Sequence, residues 1–434
     1  MIGDESLKSI TTSRMQRLVV SAAAITLLAG CGGGTVSAPL PSLAWPMYRG
    51  DLARDGHPPA ATLTASEATR LRLAWRASAG AAVEGTPAVA GGLVVVGTEG
   101  GSAEAFDERT GAIAWRLNGL GAISGSPAVA GSLVFVGTLT GRLYGIELAT
   151  GRERWEWSAP GTKPAIWSSP GVVGGAVVVG IASQYGDTPL EAGRVIAVGA
   201  ATGHLLWSAC VEAGCAPGGG VWSSAAFDGA GRGYVGTGNP DDAVLAFDAA
   251  TGRRLWAMSL YPDLDRDLDV GATPIVLRLG GREVVAEGSN GGVFAVLDAS
   301  TGTIVWKSTL VEGSAVHGLI ASPAFDGTTI YVPSASPPTG MFALDPGSGA
   351  VRWRHATDLP VYSAPVACDG LIVFGTGDVF GDRHRGELFA LSAADGSVLW
   401  SFDVRSAVFG GPAAAGSTVV AGDEDGEVLA FRPG

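Results

Sequence analysis

Basic residues are scarce in this sequence, which has 28 lysines and arginines against 41 aspartates and glutamates. The formal net charge is -13 and the isoelectric point lies near 4.8. No cluster of Lys and Arg offsets this acidic balance. Because an acidic field repels a phosphate backbone, the composition excludes nucleic acid as a partner.

Cysteine and histidine are also few, with 4 and 5 residues in the whole chain. No Cys-x-x-Cys-His motif occurs, so we expect no covalently attached c-type haem. The histidines are scattered without the short spacings that metal sites use; they are His57, His204, His317, His355 and His384. The sequence also lacks a nucleophile elbow and a phosphate-binding loop.

Long hydrophobic runs are absent, and the clearest short one occupies residues 18–29, directly after Arg14 and Arg17. This run is too short to span a bilayer but suits the apolar part of a signal peptide. It ends in Leu-Ala-Gly-Cys at residues 28–31, which resembles the lipobox of bacterial lipoproteins. The resemblance implies a signal peptide over 1–30 and a lipid on Cys31. Residues 31–65 then form a lipidated tether and leader.

The residue after Cys31 is Gly32 and not Asp. For bacterial lipoproteins this implies delivery to the outer membrane, with the folded part facing the periplasm. Either Met1 or Met15 could start translation. The protein is thus predicted to be exported and held to the cell envelope by its N-terminal lipid.

What the sequence has in abundance is glycine, 67 residues, together with 47% hydrophobic residues. This mixture favours many short buried strands joined by tight turns. One pattern recurs: an apolar residue, Asp, two residues, Thr-Gly, three residues and Trp, first seen from Phe106 to Trp115. In this turn Asp can accept backbone N–H bonds and Gly can supply a positive φ.

The tryptophans that end the repeats lie 40 to 52 residues apart, the length of a four-stranded blade. They are Trp75, Trp115, Trp155, Trp207, Trp256, Trp306, Trp353 and Trp400. The last repeat stops before its Trp, so the strand around Trp75 should complete it. We predict an all-β, eight-bladed propeller over 66–434, with four antiparallel strands per blade and a ring closed by the N-terminal strand.

These repeats resemble those of pyrroloquinoline quinone (PQQ) dehydrogenases, and also those of the propeller lipoprotein of the outer-membrane β-barrel assembly machinery. The resemblance covers residues 71–434. A leader at 45–51, Trp-Pro-Met-Tyr-Arg-Gly-Asp, is similar to one that often precedes such propellers. We expect it to pack on the propeller body.

Residues 218–274 are similar to the methanol and polyvinyl-alcohol dehydrogenase pattern. The resemblance implies that Trp222 stacks under the flat cofactor and that Asn239 is a calcium ligand. It makes Asp267 the favoured general base and a second metal ligand, with Asp269 as the alternative base.

The same comparison implies several departures from the dehydrogenases. The second calcium ligand, a Glu, falls near Gln184, and Glu191 is a displaced substitute. The adjacent-cysteine disulfide that covers the quinone has no counterpart in 185–194, and the basic residue expected near the quinone is Asn290. Separately, Cys210 and Cys215 could pair as a disulfide in the oxidising envelope.

Three functions remain open from the sequence. The first is a non-catalytic envelope propeller that binds or scaffolds envelope proteins. The second is a PQQ- and calcium-dependent dehydrogenase of a small alcohol, which passes electrons to an external acceptor because no haem is present. The third is a degenerate quinoprotein that keeps a small-molecule pocket. The last two require Trp222, Asn239 and Asp267 to meet at one end of the central channel of a monomeric propeller.

Overall fold

The computed structural model describes residues 43–262, 267–381 and 385–434. The predicted signal peptide, the lipidation site at Cys31, the tether up to residue 42 and His384 lie outside the described residues. In the described part, strands dominate, and no helix is long and apolar enough to cross a membrane. The helical elements are the short helix Ala65–Ala68 and the 3-10 turn Ala213–Cys215.

Eight antiparallel sheets follow one another along the chain as the blades of a propeller, which confirms the predicted fold. The first strand of each blade is innermost. Blades 1 to 4 are Ala88–Ala90, Leu93–Gly97, Ser102–Asp107 and Ile113–Asn118; Ala128–Ala130, Leu133–Gly137, Arg142–Glu147 and Glu153–Ser158; Gly171–Val173, Ala176–Ser183, Arg194–Gly199 and Leu205–Cys210; Ala226–Phe227, Arg232–Gly236, Ala243–Asp248 and Arg254–Ser259.

Blades 5 to 8 repeat this order, except that blade 8 takes its outer strand from the N-terminal part of the chain. They are Ile275–Leu279, Arg282–Gly288, Val293–Asp298 and Ile304–Thr309; Ala324–Phe325, Ile330–Ser334, Gly340–Leu344 and Val351–Ala356; Val366–Cys368, Leu371–Gly377, Gly386–Ser392 and Val398–Val404; Ala413–Ala415, Thr418–Gly422, Glu427–Pro433 and Leu71–Ser78.

The ring is closed where Leu71–Ser78 pairs antiparallel with Glu427–Pro433. Trp75 lies opposite Ala430 in this ladder, as the interrupted last repeat predicted. Closure gives the last blade its outer strand from the start of the propeller and leaves no sheet incomplete, which protects the strand edges.

The recurring turn joins neighbouring blades as well as strands. In blade 1, Asp107 Oδ1 accepts hydrogen bonds from the N–H and the hydroxyl of Thr110, at 2.8 and 2.6 Å. Gly111 has a φ of 72°, and a Cβ there would lie 2.6 Å from the indole of Trp75. That indole donates to the carbonyl of Glu108 at 2.9 Å. Each repeat therefore ties its turn to the Trp of the preceding blade.

A ring of hydroxyl side chains links the blades around the channel. The backbone N–H of Thr86 donates to Ser126 Oγ, and the N–H of Ser126 donates to Ser169 Oγ, at 2.8 and 2.9 Å. The same bond continues from Ser169 to Ser224, then to Thr273 and to Ser322. The corresponding positions of blades 7 and 8 hold Ala364 and Gly411, which have no hydroxyl. In most blades this residue precedes a proline, which is the small residue of the second sequence pattern.

The leader lies across the inner strands and was only partly anticipated. Its first strand, Leu43–Trp45, adds to the inner strand of blade 1. Inner-strand N–H groups of blades 2, 4, 5, 6 and 7 donate to leader carbonyls between residues 46 and 56. Arg49 and Arg54 are fully buried and donate to carbonyls at the start of the inner strands. The leader therefore packs against the inner wall of the propeller, as expected.

Candidate functional site

A pocket of about 410 Å³ lies in the channel, with the hydroxyl ring and Tyr48 of the leader among its lining. The Tyr48 hydroxyl is 2.8 Å from Ser322 Oγ in that ring. Above the ring, the wall is formed by the segments that enter each inner strand and by turns between the second and third strands. This volume is in the range that binds a small organic molecule.

The upper wall follows the repeat register. The residue two positions before the hydroxyl position lines the pocket in every blade. These residues are Glu84, Ser124, Trp167, Trp222, Gly271, Ile320, Tyr362 and Phe409. Of these residues, only Trp222 was predicted from the sequence. The others stand at the same distance from the small-residue and proline pattern, which was the signal that could have located them.

Trp222 lies in the segment that leads into blade 4, with its ring against the chain of the next blade. A Cβ on Gly271 would lie 1.6 Å from the indole, so only glycine leaves room for it. The indole N–H donates to Asp269 Oδ2 at 2.6 Å. The ring is therefore held in one orientation and lines the pocket.

Asp269 is the partly buried acid of the site. Besides the indole bond, its Oδ1 accepts from the backbone N–H of Asn239 at 3.3 Å. Burial raises the pKa of Asp269 to about 6, the bond from Trp222 lowers it, and the charge of Asp267 raises it. This carboxyl can therefore exchange a proton near neutral pH.

Asp267 and Asn239 face each other at the side of the pocket. Asn239 Nδ2 donates to Asp267 Oδ1 at 3.3 Å, and Asp267 is exposed. Asn239 stands in the turn between the second and third strands of blade 4. Of the two predicted bases, Asp269 and not Asp267 has the protected position.

Asn290 occupies the matching turn of blade 5 and is 2% exposed. Its Nδ2 donates to the carbonyl of Ala315 at 2.8 Å, and its backbone N–H donates to the carbonyl of Asp269. Its Oδ1 is buried and accepts no hydrogen bond from the described residues. The structure thus brings Trp222, Asn239, Asp267, Asp269 and Asn290 to one pocket.

Glu191 does not join them. Its Oε1 accepts from the backbone N–H groups of Thr162 and Lys163, at 2.8 and 2.6 Å, and it is absent from the pocket lining. Cys210 and Cys215 form a disulfide at the edge of blade 3, and Cys368 is a free buried thiol.

Two groups of aromatic side chains that were not predicted from the sequence also line the pocket. Tyr362 stacks on Phe409 with ring centroids 5.7 Å apart and meets the edge of Phe380 at 5.5 Å. Trp167 meets Tyr185 edge to face at 4.4 Å. Tyr185 and Phe380 are 71% and 49% exposed, so they form an apolar rim.

Glu84 adds a carboxylate from the blade 8 to blade 1 connection, where it accepts a hydrogen bond from Ser124 Oγ. Burial raises its pKa. Glu99 and Glu424 lie beside it; burial and then the charge of Glu84 raise their pKa values to about 7 and about 8. Glu84 therefore brings to the pocket wall a carboxyl group that interacts with two further acids behind it.

The charge of the lining is one-sided. Its acidic residues are Glu84, Asp187, Asp267 and Asp269, and no Lys, Arg or His lines the pocket in the described part of the chain. In the same part, no group of three or more His, Cys, Asp and Glu side chains is arranged to hold a metal ion.

The fold and this pocket define the class: an eight-bladed propeller of the quinoprotein-repeat type with a cavity at its channel. A family model described as outer membrane protein assembly factor BamB matches residues 58–190, 191–380 and 343–433. The chain belongs to this family.

The chain is 28% identical to the polyvinylalcohol dehydrogenase of Sphingopyxis sp. (strain 113P3) over 216 residues, which is 37% of this chain and 33% of that relative. A quinohemoprotein alcohol dehydrogenase structure from Comamonas testosteroni matches with a TM-score of 0.77 and 19% identity, over 90% of this chain and 80% of the other. BamB from Moraxella catarrhalis matches with a TM-score of 0.62 and 18% identity, over 83% and 97%. At these identities the structures share the fold.

The lining provides only part of what the dehydrogenase cofactors need. Asn239, Asp267 and Asp269 offer the oxygen donors that calcium prefers, and Trp222 offers a flat face for a quinone. PQQ, however, is a tricarboxylate, and the described lining meets it with carboxylates and no cation. The residues present therefore do not fit PQQ.

Proposed function

We propose that this protein is a binding propeller, a degenerate quinoprotein that holds a small molecule in its central pocket. One observation carries this proposal: Trp222, Asn239, Asp267, Asp269 and Asn290 line a single pocket of about 410 Å³. Side chains from the segment entering blade 4, the blade 4 turn and the segment entering blade 5 meet there. Polar groups that converge in a partly enclosed cavity with aromatic lining are typical of ligand sites.

The pocket favours a binding role over the redox role of the dehydrogenases, because the acidic side chains of its lining oppose an anionic cofactor. Asn290 stands where the resemblance to the dehydrogenases implies a basic residue. The carboxylate of Glu191 accepts hydrogen bonds from the backbone N–H groups of Thr162 and Lys163. Asn290 therefore adds no positive charge to the pocket, and Glu191 adds no ligand to it.

A PQQ- and calcium-dependent alcohol dehydrogenase is the second candidate. It is favoured by the contact of Trp222 with Asp269, and of Asn239 with both aspartates. Against this candidate, the described lining offers no cation to the carboxylates of PQQ.

Titration calorimetry of the full chain with PQQ, in the presence of calcium, separates the two functions. We expect no binding up to high micromolar PQQ. Tight binding that Trp222→Ala abolishes would overturn the binding proposal in favour of the dehydrogenase. Trp157→Ala is the matched control, since Trp157 lies on the outer strand of blade 2, outside the pocket lining.

The proposed place of action is the cell envelope, with the propeller held to the outer membrane by the lipid on Cys31. The sequence Leu-Ala-Gly-Cys at 28–31 supports this. We expect Cys31→Ala to move the protein from the membrane fraction to the soluble fraction on cell fractionation, with the propeller still folded. Retention of the variant in the membrane fraction would contradict lipid anchoring. Envelope proteins are further candidate partners.

A further inference from the structure

The charge and the aromatic content of the pocket together indicate what kind of molecule it takes. Glu84, Asp187, Asp267 and Asp269 line it, and among the described residues no basic side chain does. Carboxylates in a partly enclosed site attract positive charge more strongly than they do in open water.

The aromatic side chains are placed to contact a cation. Trp222 and Trp167 line one side of the pocket, and Tyr362 stacked on Phe409 lines another. The faces of indole, phenol and phenyl rings attract ammonium groups. An apolar body attached to the ammonium would contact the exposed rim residues Tyr185 and Phe380.

Asn290 supplies an independent sign that a donor is expected in the pocket. The residue is 2% exposed and lines the cavity, and its amide nitrogen already donates to Ala315. Its Oδ1 is buried without a hydrogen-bond donor among the described residues. A buried acceptor of this kind costs free energy until a ligand N–H or O–H satisfies it.

The buried arginines of the leader do not neutralise this pocket. Arg49 donates to the carbonyls of Pro365 and Pro323, and Arg54 donates to those of Ala225 and Pro170. Neither lines the cavity. Asp51 and Asp55 lie near enough to counter their charge.

We infer that the pocket binds an organic cation, an ammonium group carried on an apolar or aromatic body. The inference rests on the proposed binding function and names its ligand class. The ammonium lies beside the carboxylates of Asp267 and Asp269, and the apolar body lies against the aromatic side chains.

Titration calorimetry of the full chain with three probes of similar size and different charge tests the inference. The probes are benzylammonium, benzyl alcohol and phenylacetate, which share a phenyl group and differ in charge. We expect the cation to bind and the other two to bind at least about tenfold more weakly, since one charge-assisted contact is worth that much. Calcium chloride is titrated separately and in competition with the cation.

Asp269→Asn and Asp267→Asn should each weaken benzylammonium binding about tenfold, as expected when a charged partner is lost. Asn at 269 can still accept the bond from Trp222, and Asp267 is exposed, so both variants should fold. Glu153→Gln, an exposed acid on the outer strand of blade 2, is the matched control and should bind like the parent.

Benzyl alcohol or phenylacetate binding as tightly as the cation would overturn the inference and leave the small-molecule pocket standing. Binding of calcium and of an uncharged or anionic probe, without binding of the organic cation, would also overturn the inference. The carboxylates would then hold a metal ion and not an ammonium group. Failure of all three organic probes would instead count against the proposed binding function itself. Unchanged affinity in both Asp→Asn variants would show that these carboxylates do not select the ligand.

Discussion

Asp269 and Trp222 show how single residues set the chemistry of the pocket. The indole N–H donates to the carboxylate at 2.6 Å, which stabilises the charged form, while burial favours the neutral form. Burial dominates, so the pKa rises to about 6. The sequence could name both aspartates as candidates, but the choice between them depended on burial, which no local pattern encodes.

Glu287 is a second buried acid, and it lies outside the pocket lining. It is 0% exposed, and neither carboxyl oxygen has a hydrogen-bond partner in the described part of the chain. Burial raises its pKa well above the ordinary value, which favours the neutral carboxyl. A buried polar group without a partner costs free energy.

We therefore expect Glu287→Leu to increase the free energy of unfolding at pH 8 by about 1–3 kcal/mol. Urea denaturation measures the change. Glu153→Leu, at an exposed acid, should stay within roughly 0.5 kcal/mol of the parent. A loss of stability in Glu287→Leu would mean that Glu287 has a favourable partner or that leucine does not fit its site.

At the scale of structural elements, the repeat turn fixes the spacing between blades. Gly252 has a φ of 73°, and a Cβ there would lie 2.4 Å from the indole of Trp207 in the preceding blade. Gly280 has a φ of 55°, but a Cβ there would meet nothing within 4 Å. The two glycines thus share the backbone strain and differ in the contact.

Gly252→Ala should lower the free energy of unfolding by roughly 1–3 kcal/mol more than Gly280→Ala, because only the first forces a Cβ into a packed aromatic ring. Thermal and urea unfolding of both variants measure the difference. Equal losses would show that backbone strain alone accounts for the destabilisation of Gly252→Ala, and that the indole of Trp207 moves to make room for the Cβ.

The elements divide into those that the sequence predicted and those that it did not. The repeat predicted the blades and the closing strand at Leu71–Ser78, because the residues that form each turn lie within about ten positions of one another and recur as a pattern. The added strand Leu43–Trp45 depends on bonds to a strand 45 residues later, such as Leu43 opposite Ala90. Such distant pairing leaves no periodic pattern. The aromatic residues of the pocket wall occupy equivalent positions of the repeats, but they meet in one pocket only because the ring of blades is closed.

At the scale of the whole molecule, closure of the ring concentrates carboxyl groups where blades 8 and 1 meet. Asp423 and Glu424 come from blade 8, and Glu84 and Glu99 come from the connection and blade 1. Residues from the two ends of the propeller are thereby brought into one acidic group. Only the closed ring makes these charges interact.

This grouping sets the direction in which stability depends on pH. Burial raises the pKa of Asp423 to about 6, of Glu99 to about 7 and of Glu424 to about 8. The unfolded chain releases these protons near pH 4, whereas the folded protein keeps them to higher pH. Stability therefore falls as pH rises from about 4 to 8. Surface acids such as Glu147, with a pKa lowered to about 2, lose their contribution only below about pH 4.

We accordingly expect the protein to be most stable near pH 5, with a thermal midpoint several degrees above that at pH 8 in calorimetric scans. The double variant Glu99→Gln and Glu424→Gln should reduce this difference, because amides in their place do not titrate. Glu153→Gln should leave it unchanged. A midpoint at pH 8 equal to or above that at pH 5 would show that the folded protein neutralises the acidic group, either with a bound cation or by a rearrangement. The same measurement with benzylammonium present would distinguish these two explanations, because a bound cation raises the midpoint most at the pH where the carboxylates are charged.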